Sequence, residues 1–204
     1  MRIALFGGTR GVGRQVLVQA LEKDWGIKLL ARSPGAVPPE PGLQVIGGDA
    51  TDPGKVIQTI TGCDAVVCCL GPAKGSPRDV CSRWTEIIIP AMKKFSLTRI
   101  VVITGMGTGD SVQQIPGWYR WLFRLVLRSS LADKERQEAL LRDSGLDWTI
   151  IRPGGLTNKQ TENPPAFGVD QKTQARMVSR QSVASFLIQE LERGEYRGRT
   201  PYIT

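Results

Sequence analysis

The sequence predicts a doubly wound α/β fold, a parallel sheet with helices on both faces, over its whole 204 residues. Three observations predict it. Short apolar runs recur at residues 3–6, 27–31, 43–46, 65–70, 100–103 and 147–151. Segments with apolar residues at helical spacing lie between most of them, the alternation of βαβ units. The run 65–70 is almost wholly apolar, as a strand covered on both faces requires.

Length and composition bound the rest. The chain is sized for a single domain (1–204), with a core that needs no staples and small loops at about 105–117 and 157–173. A hydrophobic fraction of 41% is that of a globular protein, and no apolar run approaches the length of a membrane span. The first apolar run is too short for a signal peptide, so a cytoplasmic or equivalent reducing location is expected. Cys68 and Cys69 are adjacent in a strand, hence on opposite faces, and read as small buried hydrophobes. Cys63 and Cys81 stand apart from them, and no C-x-x-C occurs. The absence of histidine excludes Ser-His-Asp and Cys-His catalysis and histidine-ligated metals, and no metal is expected. A net charge of +8, from 27 basic and 19 acidic residues, favours anionic ligands. No nucleic-acid motif or long basic block accompanies that charge. An anionic small molecule therefore ranks ahead of nucleic acid or membrane as a partner.

The first element carries the clearest signal. Residues 3–6 form a buried strand that runs straight into Gly7-Gly8-Thr9-Arg10-Gly11-Val12-Gly13. A helix follows, with Val12, Val16, Leu17, Ala20 and Leu21 on one face. A strand turning on glycines into a helix gathers backbone N–H groups and the positive helix end at one point, which suits a dinucleotide pyrophosphate. The glycines stand as Gly7-x-x-x-Gly11-x-Gly13, with Gly8 extra, not as G-x-G-x-x-G. A turn that uses glycine only for tight geometry is the alternative.

The second strand ends at Arg32-Ser33-Pro34. An acidic residue there would accept the ribose 2′-hydroxyl of NAD, whereas a basic one accommodates the 2′-phosphate of NADP. Arg32, with Arg10 opposite, points to NADP(H); a solvated loop charge is the alternative. After the third strand, Asp49 is placed to accept from an adenine amino group, with Ala50 against the ring. Asp52 caps the helix begun by Pro53. The fourth strand ends at Gly71-Pro72, where backbone can pass close to a cofactor. The next helix carries Val80, Trp84, Ile87, Ile88, Ala91 and Phe95 as core residues and a kink at Pro90.

The fifth strand delivers Thr104 to the carboxyl rim of the sheet, where open α/β sheets bind ligands. Residues 118–128 place Arg120, Arg124 and Arg128 in one stripe among aromatic and aliphatic residues. Such a helix can lie on a membrane, but burial against the sheet or a partner is the expected arrangement. A further helix spans 131–143 and stops at Ser144-Gly145. The sixth strand follows, and Arg152-Pro153-Gly154-Gly155-Leu156 brings the chain to the same rim. Residues 157–173 read as a polar, mobile loop over the site. A last helix (Val183, Leu187, Leu191) and a strand at 201–203 close the chain.

Taken together, the chain resembles the atypical short-chain dehydrogenase/reductases of the small NAD(P)H-binding type, and among them the biliverdin IXβ reductase/flavin reductase family. The resemblance is carried by residues 3–13, Arg32, Gly48-Asp49, 64–71, 77–93, 99–104, Ser144-Gly145-Leu146 with Arg152-Pro153, and Val178-Ser179-Arg180. It implies a three-layer α/β/α Rossmann fold with NADP(H) across the switch point. The phosphate and adenosine side would then fall to Gly7, Thr9, Arg10, Gly11, Val12, Gly13, Arg32, Ser33, Asp49 and Ala50. The nicotinamide side would fall to Leu70, Gly71, Pro72, Cys81, Thr104, Gly105, Pro153, Gly154 and Gly155. Lys134 matches a nicotinamide-side position, and with Thr104 it forms the candidate catalytic pair.

One departure shapes the expected chemistry. The Tyr-x-x-x-Lys pair of typical family members is absent: Phe123 stands four after Tyr119, and Ser130 four before Lys134. Gly105 replaces the usual serine. Alcohol–ketone chemistry needs a positioned acid. Hydride transfer to a flavin such as FMN, or to a linear tetrapyrrole, demands less, because the acceptor spreads its charge and water can supply the proton. The expected reaction is therefore NADPH-dependent reduction of a planar anionic acceptor by a monomer or weak homodimer. A non-catalytic NADP-sensing or assembly protein presenting residues 118–128 is the alternative. A sugar-nucleotide epimerase ranks third, lacking the Tyr-Lys pair and a substrate domain.

Overall fold

A computed structural model describes residues 1–71, 77–115, 117–160, 164–170 and 172–204, with backbone only for 117–128. Alternation of side chains along its first strand sets the layers. In β1 (Arg2–Phe6), Ile3 and Leu5 point to one face of the sheet and Ala4 and Phe6 to the other, all fully buried. On the first face lie α1 (Gly11–Leu21) and α5 (Arg180–Arg193), joined through Val16, Leu17, Val183 and Leu187. On the second lie α2 (Pro53–Ile60), α3 (Val80–Lys94) and α4 (Gly117–Arg142), with Val56, Trp84, Ile88 and Leu141 in its core. The rings of Phe6 and Trp84 meet at 5.2 Å across that layer. Cys68 and Cys69 fall on opposite faces, the first in one core and the second against the other.

The remaining strands are β2 (Gly26–Ala31), β3 (Leu43–Gly47), β4 (Ala65–Cys68), β5 (Arg99–Ile103), β6 (Asp147–Pro153), β7 (Gly155–Thr157), β8 (Phe167–Gly168), β9 (Met177–Ser179) and β10 (Tyr202–Ile203). The main sheet runs β3-β2-β1-β4-β5-β6-β10-β8, parallel throughout except for β8. Strand order reverses between β1 and β4, which places the switch-point crevice above Phe6 and Cys68. The fold is thus the doubly wound Rossmann-like sandwich that the residue pattern predicts. No helix among the described residues is long and apolar enough to cross a membrane.

The structure corrects several element assignments. β4 stops at Cys68, leaving Cys69 and Leu70 to the rim. Phe95 is exposed because α3, which runs unbroken through Pro90, has ended before it. α4 is one continuous helix where a break was expected, since no glycine or proline interrupts residues 118–142. Its Arg120, Arg124 and Arg128 lie outside the described side chains. The expected mobile loop at 157–173 is anchored at its far end. β8 pairs with β10, Tyr202 Oη donates to Asp170 at 2.6 Å, and Gln114 Nε2 donates to the Asp170 and Thr173 carbonyls. The segment 105–117 carries a 3-10 turn, Gly109–Gln114.

A buried ion pair ties α5 to the amino edge of the sheet. The Arg99 guanidinium donates to Glu190 at 2.7 Å and to Thr149 Oγ1 at 2.9 Å. Glu190 also accepts from the Tyr196 N–H. Glu190 is only 2% exposed, and its removal leaves the buried Arg99, among the described residues, with the carboxylate of Asp147 alone, at 3.5 Å. Glu190→Ala is expected to lower unfolding free energy by about 3–5 kcal/mol in urea titrations; a change of under about 1 kcal/mol would show the pair to be dispensable.

Candidate functional site

The crevice begins at Gly7, which ends β1 with φ +85° and lies against the backbone of Cys69 and Leu70. A Cβ there would come within 2.9 Å of the Leu70 nitrogen and nearer still to the Cys69 carbonyl. Only glycine permits both the turn and the approach. Gly13 then packs in the first turn of α1 on the Gly7 carbonyl oxygen, with no room for a side chain. Gly11 is different: its φ is +61°, and the nearest atom to a Cβ is the Arg180 guanidinium, 3.9 Å away. Arg10 is the N-cap of α1 and offers no side-chain cap. The N–H groups of that first turn have no partner within the helix, so they are available to an anion.

From this corner a cleft of about 550 Å³ runs along the carboxyl rim of β2, β1, β4 and β5. It is lined by Gly7, Thr9, Arg10, Gly11, Val12, Arg32, Ser33, Asp49, Ala50, Leu70, Gly71, Thr104 and Lys134, and so brings together most of the residues singled out from the sequence. Among the described lining residues its cations are Arg10, Arg32, Lys134 and Arg180, against one carboxylate, Asp49. Among the described residues, none of these cations forms a salt bridge. Asp49 has one oxygen held by the hydroxyl and N–H of Thr51, at 2.6 and 2.8 Å. Those hydrogen bonds keep its carboxyl below the usual carboxylate range. Asp52 caps α2 through Gly54 and Lys55, the division of roles expected for the two aspartates.

Other predicted positions do not line the cleft. Gly13 is turned inward on Gly7. Cys81 aims its Sγ at the Leu70 carbonyl, and burial pushes its thiol up to about 11. Gly105 stands outside the lining, between Thr104, whose N–H bonds Ile151, and Met106, whose N–H bonds Pro153. Pro153 completes β6, and Gly154 and Gly155 pass the chain against Arg176, Met177 and Thr204, where a Cβ would collide. These glycines serve the crossing of β7 and β9 with the terminus, and they are not among the residues that line the cleft. Pro72 lies outside the described residues.

α4 supplies the inner end of the cleft. Lys134 Nζ donates to the Ile103 carbonyl at 3.1 Å, at the end of β5. One helical turn on, Glu138 is 1% exposed and accepts from Thr104 Oγ1 (2.7 Å), from Arg152 Nε (3.1 Å) and Nη2 (2.6 Å), and from Arg142 (2.8 Å). Burial works against the charge of Arg152, but Glu138 and Asp110 outweigh it and raise the pKa of Arg152. The Thr104 proton is therefore committed to Glu138. Thr104 can meet a ligand as an acceptor but cannot deliver a proton to it. Toward α3, Asp133 of α4 accepts from the N–H groups of Cys81 and Ser82 and caps α3, whose own N-cap Asp79 makes no side-chain cap.

Sequence reasoning missed Glu138, Asp133 and the cleft-lining role of Arg180. Glu138 and Asp133 carried no motif, and their partners lie on other elements. Arg180 stood in the Val178-Ser179-Arg180 block without an assigned contact.

Comparison with known proteins bears on this cleft. A profile of the family described as NAD(P)H-binding matches residues 7–193. A chloroplastic protein of Arabidopsis thaliana is 24% identical over 93% of this chain and 71% of its own length. Two solved structures align over nearly all of both chains. The anaerobillin reductase ChuY from Escherichia coli O157:H7 has a TM-score of 0.84 at 22% identity, covering 100% of this chain and 96% of its own. A short-chain dehydrogenase/reductase from Veillonella parvula in complex with NADP has a TM-score of 0.82 at 20% identity, covering 99% and 93%. At these identities the structural likeness is one of fold.

The contrast between two glycines tests the corner. Gly13→Ala is expected to abolish NADP+ binding or soluble folding, because the added methyl meets a backbone carbonyl that cannot move. Gly35→Ala, with nothing within 4 Å and outside the cleft lining, is expected to fold and bind as the parent does. Calorimetric titration of both variants checks this, and equal behaviour would refute it.

Proposed function

Because the chain belongs to the NAD(P)H-binding family, we propose that it is an NADPH-dependent reductase of a planar, conjugated, anionic acceptor such as a flavin or a linear tetrapyrrole. The observation that carries this reading is the charge of the cleft: among the described residues Arg10, Arg32, Lys134 and Arg180 face it with Asp49 alone opposed. A ligand bearing a pyrophosphate and a further phosphate is the natural complement of such a rim. The corner fits the cofactor on structural grounds, through the close approach at Gly7 and the uncapped start of α1. Arg32 and Ser33 would hold the 2′-phosphate, Asp49 and Ala50 would border the adenine, and Lys134 would meet the ribose nearer the reacting end. When bound, NADPH supplies a hydride.

The protein's own task is then to place two flat molecules face to face and keep them there. Val12, Cys69, Leu70 and Ile103 offer an apolar wall for that purpose. Burial pushes the Cys69 thiol up to about 12, so it contributes surface, not a nucleophile. Thr104 orients a donor group, and Lys134 is the N–H donor at the inner end. With Ser130 where typical family members place a tyrosine, the sequence sets no phenol four residues before Lys134 to protonate an alkoxide. An acceptor that delocalises charge removes that need. The fold likeness to an anaerobillin reductase supports the same class of acceptor. The cysteines are all free, which suits a reducing compartment, cytosolic or plastid.

Purified protein is expected to oxidise NADPH only when FMN or biliverdin is added, and NADH more slowly; NADPH binding with no acceptor-dependent oxidation across that panel would sink the reading. Arg32→Ala is expected to raise KM for NADPH about tenfold, the worth of one exposed charge-assisted contact, with little change for NADH. Steady-state kinetics with both nucleotides check this, and an equal rise for the two would reduce Arg32 to a general surface charge.

A further inference from the structure

We infer that Arg180 is the side chain that grips the pyrophosphate from the side opposite the glycine turn. The inference rests on a dinucleotide occupying the cleft and names a residue from the far end of the chain as part of its phosphate site.

Three features fix Arg180 there. It is the first residue of α5, and Ser179 before it caps the helix by accepting from the Ser182 N–H at 3.0 Å. Val178, fully buried, and the pairing of β9 with β7 hold the preceding backbone. α5 packs along α1, and both helices begin at the carboxyl rim of the sheet. The start of α5 is thereby set beside the uncapped start of α1. The Arg180 guanidinium lies across Gly11, 3.9 Å from where a Cβ on that residue would stand, and lines the same cleft as Gly7 and Thr9.

Among the described residues the donors of Arg180 are mostly unused. Nη1 donates to Asn158 Oδ1 at 2.9 Å, which orients the planar group without neutralising it. Among the described residues no carboxylate pairs with it, although Arg99 and Arg152 of the same protein are each buried against acids. A fork of free N–H groups on one side and the N–H groups of α1 on the other can bind two phosphoryl groups at once. Arg32 and Ser33 sit at the end of β2, so Arg180 and Arg32 would serve different phosphates. A surface role, in which Arg180 merely links α5 to Asn158, leaves the spare donors and the position over Gly11 without a purpose.

Binding of NADP+ and NAD+ to Arg180→Gln, followed by isothermal titration, separates these roles. Both nucleotides carry the pyrophosphate, so both are expected to lose about tenfold or more in affinity, with the NADP+/NAD+ preference unchanged. Adenosine 2′-monophosphate, which lacks the pyrophosphate, is expected to bind Arg180→Gln as it binds the parent. Unchanged affinity for the dinucleotides overturns the assignment, and so does a loss confined to NADP+ or shared by adenosine 2′-monophosphate. Failure of the parent protein to bind any dinucleotide refutes the underlying reading instead. Should Arg180→Gln not fold, Arg180→Lys carries the test: it keeps the charge without the fork, and a partial loss for both dinucleotides is expected, no loss being the contrary result.

Discussion

The site depends on one close approach of backbone to backbone, that of Gly7 to the end of β4. Because no Cβ intervenes, the turn after β1 settles onto Cys69 and Leu70, and Gly13 settles onto the carbonyl of Gly7. This brings α1 in at a fixed height above the sheet, with its unbonded N–H groups facing the point where strand order reverses. The phosphate end of the cleft takes its position from that junction. α5 is placed by packing on α1, and Arg180 by the start of α5. The end of β2 follows through its register with β1, which sets Arg32 and Ser33 along the same rim.

The arginines divide by whether they are paired. Arg99 and Arg152 are buried and surrounded by carboxylates, and they join elements: β5 to α5 in one case, β6 to α4 in the other. Pairing offsets the desolvation of such charges, and little net field is left to act on a ligand. Arg10 and Arg32 are exposed and unpaired among the described residues, and Arg180 is half-buried with a single neutral partner. Solvent carries most of their charge in the free protein, so their fields are available to a phosphorylated ligand at small cost. The net charge of +8 thus has a local expression at this cleft.

What could be read from the sequence divides along the same physical line. Local signals were legible: the periods of strands and helices, the glycine spacing, the Asp52 cap and the opposite faces of Cys68 and Cys69. So was the rim set by strand ends, from Arg32 to Thr104. Features created by tertiary approach were not. Asp133 caps a helix it does not belong to, and Glu138 gathers partners from β5, β6 and its own helix. Gly154 and Gly155 resembled a ligand-facing turn, but the segment around Arg176 occupies the space their missing side chains leave. Linear spacing holds no record of which distant backbone will pass.

The chemistry of the inner end follows from where protons are already committed. Glu138 has both oxygens filled by donors, so the hydroxyl of Thr104 has one direction in which to donate. Lys134 spends one N–H on the carbonyl of Ile103 and keeps others free to donate. A ligand at this end therefore finds an acceptor in Thr104 and a cationic donor in Lys134, with no phenol between them among the described side chains. That arrangement can orient a carboxamide, a ribose hydroxyl or a ring N–H. Among the described side chains it holds no neutral acid poised to complete the reduction of an isolated carbonyl. The acceptors it suits are those whose own π system carries the added charge until solvent supplies the proton.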